Sequence, residues 1–278
     1  MGLGIKTMLK KKLGASQYVT VSERSADKLL AGKNILITGG ATGIGYEAAK
    51  ECVKQGANVI IASRNEQKLD QAVEKIKKLG FAGNISRVIF DVSNIDEIDN
   101  KLQEVISVYG SIDMLVNNAG IYRGGINNFN MTRKTYDEIM DTNLRGPVFL
   151  TNAVVKYWCD NNIKGNIVFV SSETAVCAYT NPYALSKGAL VQYAKGCAYE
   201  LASKGIRANI VAPGGTVSEI TRVSKEQDLQ FPAITGRLCV PEEIASSIIF
   251  LLSDLSGCLN GQLLECNGGN TLQVEFFR

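Results

Sequence analysis

Tyr183 and Lys187 stand four residues apart in the run Tyr183, Ala184, Leu185, Ser186, Lys187. On a helix that spacing puts both side chains on one face, where the ammonium lowers the phenol pKa from its free value of about 10. A phenol tuned in that way serves as a general acid or base. The chain has need of one, because none of its 278 residues is a histidine. That absence excludes the Ser-His-Asp hydrolase triad, the H-E-x-x-H zinc proteases and any dehydrogenase that protonates through imidazole. Ser171 and Ser172 lie just upstream and add hydroxyl donors. A second pair at the same spacing, Tyr46 and Lys50, has no such serine before it and reads as helix surface.

Far upstream, an apolar run at 34–38 leads into Gly39, Gly40, Ala41, Thr42, Gly43, Ile44, Gly45. Glycines between a strand and a helix allow close backbone approach, so the helix N-terminus can hold a pyrophosphate on its free N–H groups. The G-K-[ST] ending of a P-loop is missing, which favours a dinucleotide. An NAD site places an acid about 20 residues further on, at the end of the second strand. Here that strand ends Ala62, Ser63, Arg64. A guanidinium without a carboxylate beside it suits the 2′-phosphate of NADP, so NADP(H) is preferred over NAD(H).

Elements positioning these residues follow from the pattern. Short β-branched runs at 34–38, 57–63, 87–91, 114–117, 165–171, 208–212 and 262–266 read as strands. Helical periodicity fills 43–54, 66–78, 95–109, 134–160, 183–204 and 241–254. Alternation of this kind marks βαβ units and a parallel sheet in one layered α/β domain over residues 33–278. Residues 1–32 form an extension, and a loop at about 216–238 is the one long insertion.

Composition narrows the class. Hydrophobic residues make up 45% and charged residues 21%, an ordinary globular balance. Seven cysteines, without a C-x-x-C pair and odd in number, read as free thiols in a reducing, cytoplasmic setting. No group of residues has metal-ligand spacing, and no run nears the roughly 18 apolar residues of a membrane span. Lys6, Lys10, Lys11 and Lys12 give residues 1–14 a charge of +4, while the remainder carries 26 basic and 27 acidic residues. A near-neutral body offers no electrostatic footprint for nucleic acid. The arm interleaves its lysines with Leu3, Ile5, Met8, Leu9 and Leu13, the composition of a short membrane-surface helix; a frayed terminus is the expectation. It carries neither a signal-peptide core nor a myristoylation pattern.

Together these residues resemble the short-chain dehydrogenase/reductase family over about residues 33–270. Thr38 to Gly45 matches T-G-x-x-x-G-x-G, Asn117 to Gly120 matches N-N-A-G, and Tyr183 with Lys187 matches Y-x-x-x-K. Asn143 falls at the helix asparagine, and Pro213 and Gly214 match the P-G after the sixth strand. The resemblance implies a Rossmann-type doubly wound sheet of seven parallel strands, order 3-2-1-4-5-6-7, with helices on both faces. It implies hydride transfer between nicotinamide and a carbonyl, with Tyr183 donating the proton, Ser172 hydrogen-bonding the carbonyl oxygen and Lys187 holding the ribose. Asn143 would anchor a water relaying protons to Lys187. Asp91 and Val92 would flank the adenine, and Asn118, Ala119 and Gly120 would support the cofactor.

This sequence departs from the family pattern at three points. Tyr183 follows Ser172 by eleven positions, slightly fewer than usual, which keeps Ser171 as the alternative serine. Gly215, Thr216, Val217, Ser218 is displaced by one residue from the usual P-G-x-V-x-T, so Thr216, Val217 or Ser218 would meet the carboxamide. Thr42 stands where many NADP enzymes carry a second basic residue. Val176, Tyr179, Tyr122, Arg123, Arg222, Phe231 and Ile234 either line the substrate pocket or lie on the surface. A 3-oxoacyl thioester is the default small-molecule substrate, with sugar, polyol or steroid carbonyls as competitors. A non-catalytic NADP-binding sensor or scaffold is the reading from another class. The resemblance also implies a homotetramer or homodimer assembled through helices at 134–160 and 183–204.

Overall fold

Asn34–Thr38 is buried along its whole length, because a strand covered by helices on both sides of a sheet has no face for water. The computed structural model describes residues 28–217, 229–230 and 233–272. The basic arm and most of the extension lie outside the described residues, as do Ser218, Arg222 and Phe231 of the insertion.

Seven strands, β1 (Asn34–Thr38), β2 (Asn58–Ser63), β3 (Asn84–Ile89), β4 (Met114–Asn117), β5 (Asn166–Val170), β6 (Arg207–Pro213) and β7 (Leu263–Cys266), make one sheet. The order is β3-β2-β1-β4-β5-β6-β7, and every neighbouring pair is parallel. The helices are α1 (Gly43–Lys54), α2 (Glu66–Lys77), α3 (Ile98–Tyr109), α4 (Arg133–Met140), α5 (Gly146–Asp160), α6 (Pro182–Leu201) and α7 (Pro241–Leu252). Side chains of β1 alternate between two cores. Ile35 and Ile37 join α1, α2 and α7 on one face, and Leu36 joins α3, α5 and α6 on the other. The doubly wound architecture and strand order expected from the sequence are therefore present. Among the described residues no helix is long and apolar enough to cross a membrane.

Among the elements that differ from the sequence expectation, two bear on the site. The third strand runs over Asn84–Ile89 instead of 87–91, since Asn84 already pairs with Asn58. Asp91 has left the ladder, and its carboxylate accepts from the backbone N–H and hydroxyl of Ser93. The long helix expected over 134–160 is interrupted by a π-helical turn at Asp141–Arg145, between α4 and α5. Such turns add a residue to the helix and re-aim the side chains within it.

Strand order reverses between β1 and β4, the place where a doubly wound sheet leaves a crevice at its carboxyl edge. The backbone there is secured by side chains. The Thr38 hydroxyl accepts from the N–H groups of Asn118 and Ala119, both at 3.1 Å. The Asn118 amide in turn donates to the carbonyls of Thr38 at 3.0 Å and Gly39 at 3.1 Å. Gly45 is what lets the first turn of α1 approach that lock, because a Cβ there would lie 2.3 Å from the Gly39 carbonyl oxygen and 2.4 Å from the Asn118 amide nitrogen. Gly45→Ala must push the two apart. It is expected to cost about 1–3 kcal/mol in urea denaturation, as overpacking in a closed site does; an unchanged midpoint would contradict the close approach.

Candidate active site

Helix α6 begins with Asn181 as its cap, whose side chain accepts from the Ala184 N–H at 2.9 Å, and Pro182 fixes the first turn. That start sets Tyr183 at the mouth of the crevice and buries Lys187 one turn later. A cleft of about 400 Å³ brings Tyr183 and Lys187 together with Ser172, Thr42, Gly43 and Gly214. Gly39, Ile44, Asn118, Ala119, Gly120, Pro213 and Thr216 also line it. A second hollow of about 190 Å³ adjoins Gly39 and holds Ser63, Arg64, Asp91 and Val92.

The two serines divide sharply. Ser171 is buried and donates to the Lys187 carbonyl at 2.9 Å, so its hydroxyl serves to hold α6 against β5. Ser172 accepts from both the N–H and the hydroxyl of Thr174, at 3.2 and 3.1 Å. With its lone pairs engaged, its own proton is the part left to donate. Ser172 also hydrogen-bonds Tyr183.

Burial pushes the Tyr183 phenol up, and the nearby Tyr122 and Glu173 push it further, while the Ser172 hydrogen bond pulls it down. The net direction is upward, opposite to what the Tyr–Lys spacing suggested. Lys187 contributes little to it because its ammonium turns to the Val170 carbonyl at 2.9 Å and sits 5.8 Å from the ring centre of Tyr183. Burial lowers the Lys187 pKa to about 8 from an ordinary 10.5. The other Tyr–Lys pair lines neither of these two hollows; Lys50 pairs with Glu47 on α1.

Asn143 lies within the π turn and is fully buried. Its side chain accepts from the Ile121 N–H at 2.8 Å and donates to the Ile121 carbonyl at 2.9 Å and to Ser186 at 3.2 Å. These bonds fasten the loop after β4 to α6. Gly120 is pinned between, since a Cβ there would stand 3.3 Å from the Lys187 ammonium and 3.4 Å from the Asn143 carbonyl oxygen.

Helix α1 starts without help. Thr42 makes no side-chain cap and the first turn holds no acid, so the N–H groups facing the cleft are left for an anion. Arg64 is largely exposed and stands 3.8 Å from Asp91 across the smaller hollow. Ala41 packs against the core instead of lining either hollow, and Val217 is buried against Cys239. Of the residues left between pocket and surface, Tyr122 lines the cleft, its ring edge-on to Tyr183 at 5.1 Å. Val176, Tyr179 and Ile234 are exposed outside it, and Arg123 turns to Glu138. Sequence reasoning missed Glu173, which lines the cleft beside Ser172. Its one signal was position: an acid immediately after the serine.

Residues 33–229 match the family described as short chain dehydrogenase. The chain belongs to that family. This short-chain dehydrogenase is 36% identical to the 3-oxoacyl-[acyl-carrier-protein] reductase of Thermotoga maritima, over 86% of this chain and 98% of the relative. It is 32% identical to the glucose 1-dehydrogenase of Gluconobacter oxydans, over 88% and 94%. Among solved structures, a short-chain type dehydrogenase/reductase from Mycobacterium marinum superposes with a TM-score of 0.81 at 30% identity, covering 88% of this chain and 97% of that one. The short-chain dehydrogenase is thus an oxidoreductase of a family that binds nicotinamide nucleotides and acts on small molecules.

The buried lysine has a consequence for stability. Between pH about 8 and about 10.5 the unfolded chain keeps a proton that folded Lys187 has released, so folding gains stability as pH rises through that window. Lys187→Met removes this titration together with the bond to the Val170 carbonyl. The stability difference, wild type minus variant, is expected to rise between pH 7 and pH 10 in parallel urea titrations; a constant difference would contradict the burial.

Proposed function

We propose that the chain interconverts a carbonyl and a secondary alcohol with NADP(H), and that Tyr183 carries the proton. The observation that supports this best is the cleft itself: a protonated, buried phenol hydrogen-bonded to Ser172 stands beside a buried ammonium, in a hollow that continues to an uncapped helix N-terminus. Thr42, Gly43 and Ile44 of that terminus would hold a pyrophosphate, Arg64 the 2′-phosphate, Asp91 and Val92 the adenine, and Lys187 the nicotinamide ribose. Gly39, Gly45, Asn118, Ala119 and Gly120 shape the wall, with Pro213, Gly214 and Thr216 toward the carboxamide. Bound there, the nucleotide supplies or takes the hydride.

The protein's part is acid–base and electrostatic. In reduction Tyr183 gives its proton to the carbonyl oxygen while Ser172 donates a hydrogen bond to the same oxygen as its charge grows. A phenol held high by burial is in the right form for that direction. In oxidation the Tyr183 oxygen must lose its proton first, and the Ser172 hydroxyl, which pulls the phenol pKa down, is the group that favours the phenolate. Asn143 acts as a positioning residue, since its side chain is consumed by Ile121 and Ser186. The relay water toward Lys187 is then held by main-chain groups of the π turn.

Residues 33–278 act as one catalytic domain in this reading. All seven cysteines are unpaired, which fits a reducing cytoplasm. Exposed Phe149, Leu185 and Tyr199 on α5 and α6 fit assembly of two or four copies through those helices. An intact Ser172, Tyr183 and Lys187 set argues against a sensor or scaffold. For the substrate, the likeness to an acyl reductase favours a 3-oxoacyl thioester, and the carboxylate of Glu173 favours a hydroxylated compound.

Tyr183→Phe is expected to lower kcat at least about 100-fold while nucleotide binding stays within about threefold of wild type. Substantial residual turnover in a stopped assay would refute the proton role. Arg64→Asp is expected to reverse the preference toward NADH; an unchanged ratio of NADPH to NADH dissociation constants would count against the 2′-phosphate contact.

A further inference from the structure

Glu173 is the one acidic side chain lining the cleft, and the mechanism above gives it nothing to do. It follows Ser172 directly, and its charge is near enough to act on the Tyr183 phenol. One carboxylate oxygen accepts from the Asn270 amide at 3.0 Å, an anchor from the segment beyond β7. That oxygen lies against Gly214, where a Cβ would come within 3.2 Å of it. A side chain at 214 would crowd the carboxylate out of this place. No other hydrogen bond reaches the Glu173 carboxylate among the described residues, so its second oxygen retains an acceptor's full capacity. Lys187 is the only basic residue among those lining the cleft, and its ammonium is occupied by Val170.

An acceptor fixed beside the reacting centre selects for a donor on the substrate. A plain acyl chain laid against Glu173 would strip water from the carboxylate and return nothing. A hydroxyl would replace that water with a charge-assisted hydrogen bond. Tyr122 supplies the complementary surface, an aromatic ring against which the C–H groups of a compact substrate can pack. An ammonium donor is less suited, because Lys187 already places one positive charge in the same hollow.

Resting on the oxidoreductase reading above, we propose that Glu173 is a specificity-determining residue that accepts a hydrogen bond from a hydroxyl on the carbon next to the reacting one. The substrate class is then the vicinally hydroxylated carbonyls and alcohols, the chemistry of sugars and polyols.

The test compares trans-1,2-cyclohexanediol, cyclohexanol and trans-2-aminocyclohexanol as alcohols with NADP and NAD, in wild type, Glu173→Ala and Glu173→Gln. Wild type is expected to show a kcat/KM for the diol at least about tenfold above that for cyclohexanol, as sites built to bond a substrate hydroxyl do. Glu173→Ala brings that ratio toward one, and Glu173→Gln, nearly isosteric and still an acceptor, falls between. A wild-type ratio near one, or a ratio that Glu173→Ala leaves in place, overturns the role of Glu173 and leaves the oxidoreductase reading standing. Preference for the amino alcohol over the diol overturns the hydroxyl assignment. Turnover of none of the three with either nucleotide overturns both readings.

Discussion

At the carboxyl edge of the sheet, β1 and β4 diverge and their ladder ends at Ile37 and Val116. Beyond that point the two strands stay paired only on their outer sides, and the backbone groups facing each other across the gap would cost about 1–3 kcal/mol each if left buried and unpaired. Thr38 and Asn118 meet this constraint by exchanging side-chain hydrogen bonds with each other's backbone. Everything functional is built on that closure. It fixes the glycine turn ahead of α1, carries Ala119 and Gly120 past the mouth of the crevice, and leads to Ile121, where Asn143 takes over the same task toward α6. The site is a chain of such substitutions of side chain for ladder, running from β1 through β4 to α6.

Burial does the electrostatic work. It raises Tyr183 and lowers Lys187, so both groups are moved toward their neutral forms. Their proximity is of secondary weight, since the ammonium faces the Val170 carbonyl. A pocket with one proton-holding phenol and one lightly held ammonium is well matched to a reaction in which charge appears on a single oxygen. Ser171 and Ser172 illustrate what one peptide step changes: both line the cleft, but the Ser171 hydroxyl is spent on the Lys187 carbonyl while that of Ser172 stays beside Tyr183.

Much of this was legible beforehand. β1, β4 and α1 have the bounds that the apolar runs and the glycine loop marked, because buried parallel strands and an uncapped helix start leave strong local patterns. The strand order came from the motifs by way of family resemblance. What stayed hidden were features set by distant contacts. The π turn at Asp141–Arg145 leaves the helical period almost intact, so 134–160 read as one helix. The upward direction of the Tyr183 pKa depends on burial that spacing alone does not encode. Glu173 passed unnoticed because its anchor, Asn270, lies 97 residues away.

The central claim is that the two hollows form one NADP(H) site, and direct binding tests it without any knowledge of the substrate. Titrating the wild-type protein with NADPH and, separately, NADH while following nicotinamide fluorescence gives both dissociation constants. The account predicts saturable binding of both, with NADPH at least about tenfold tighter, the size of one charge-assisted contact to the 2′-phosphate. Tighter binding of NADH, or no binding of either nucleotide, would contradict it.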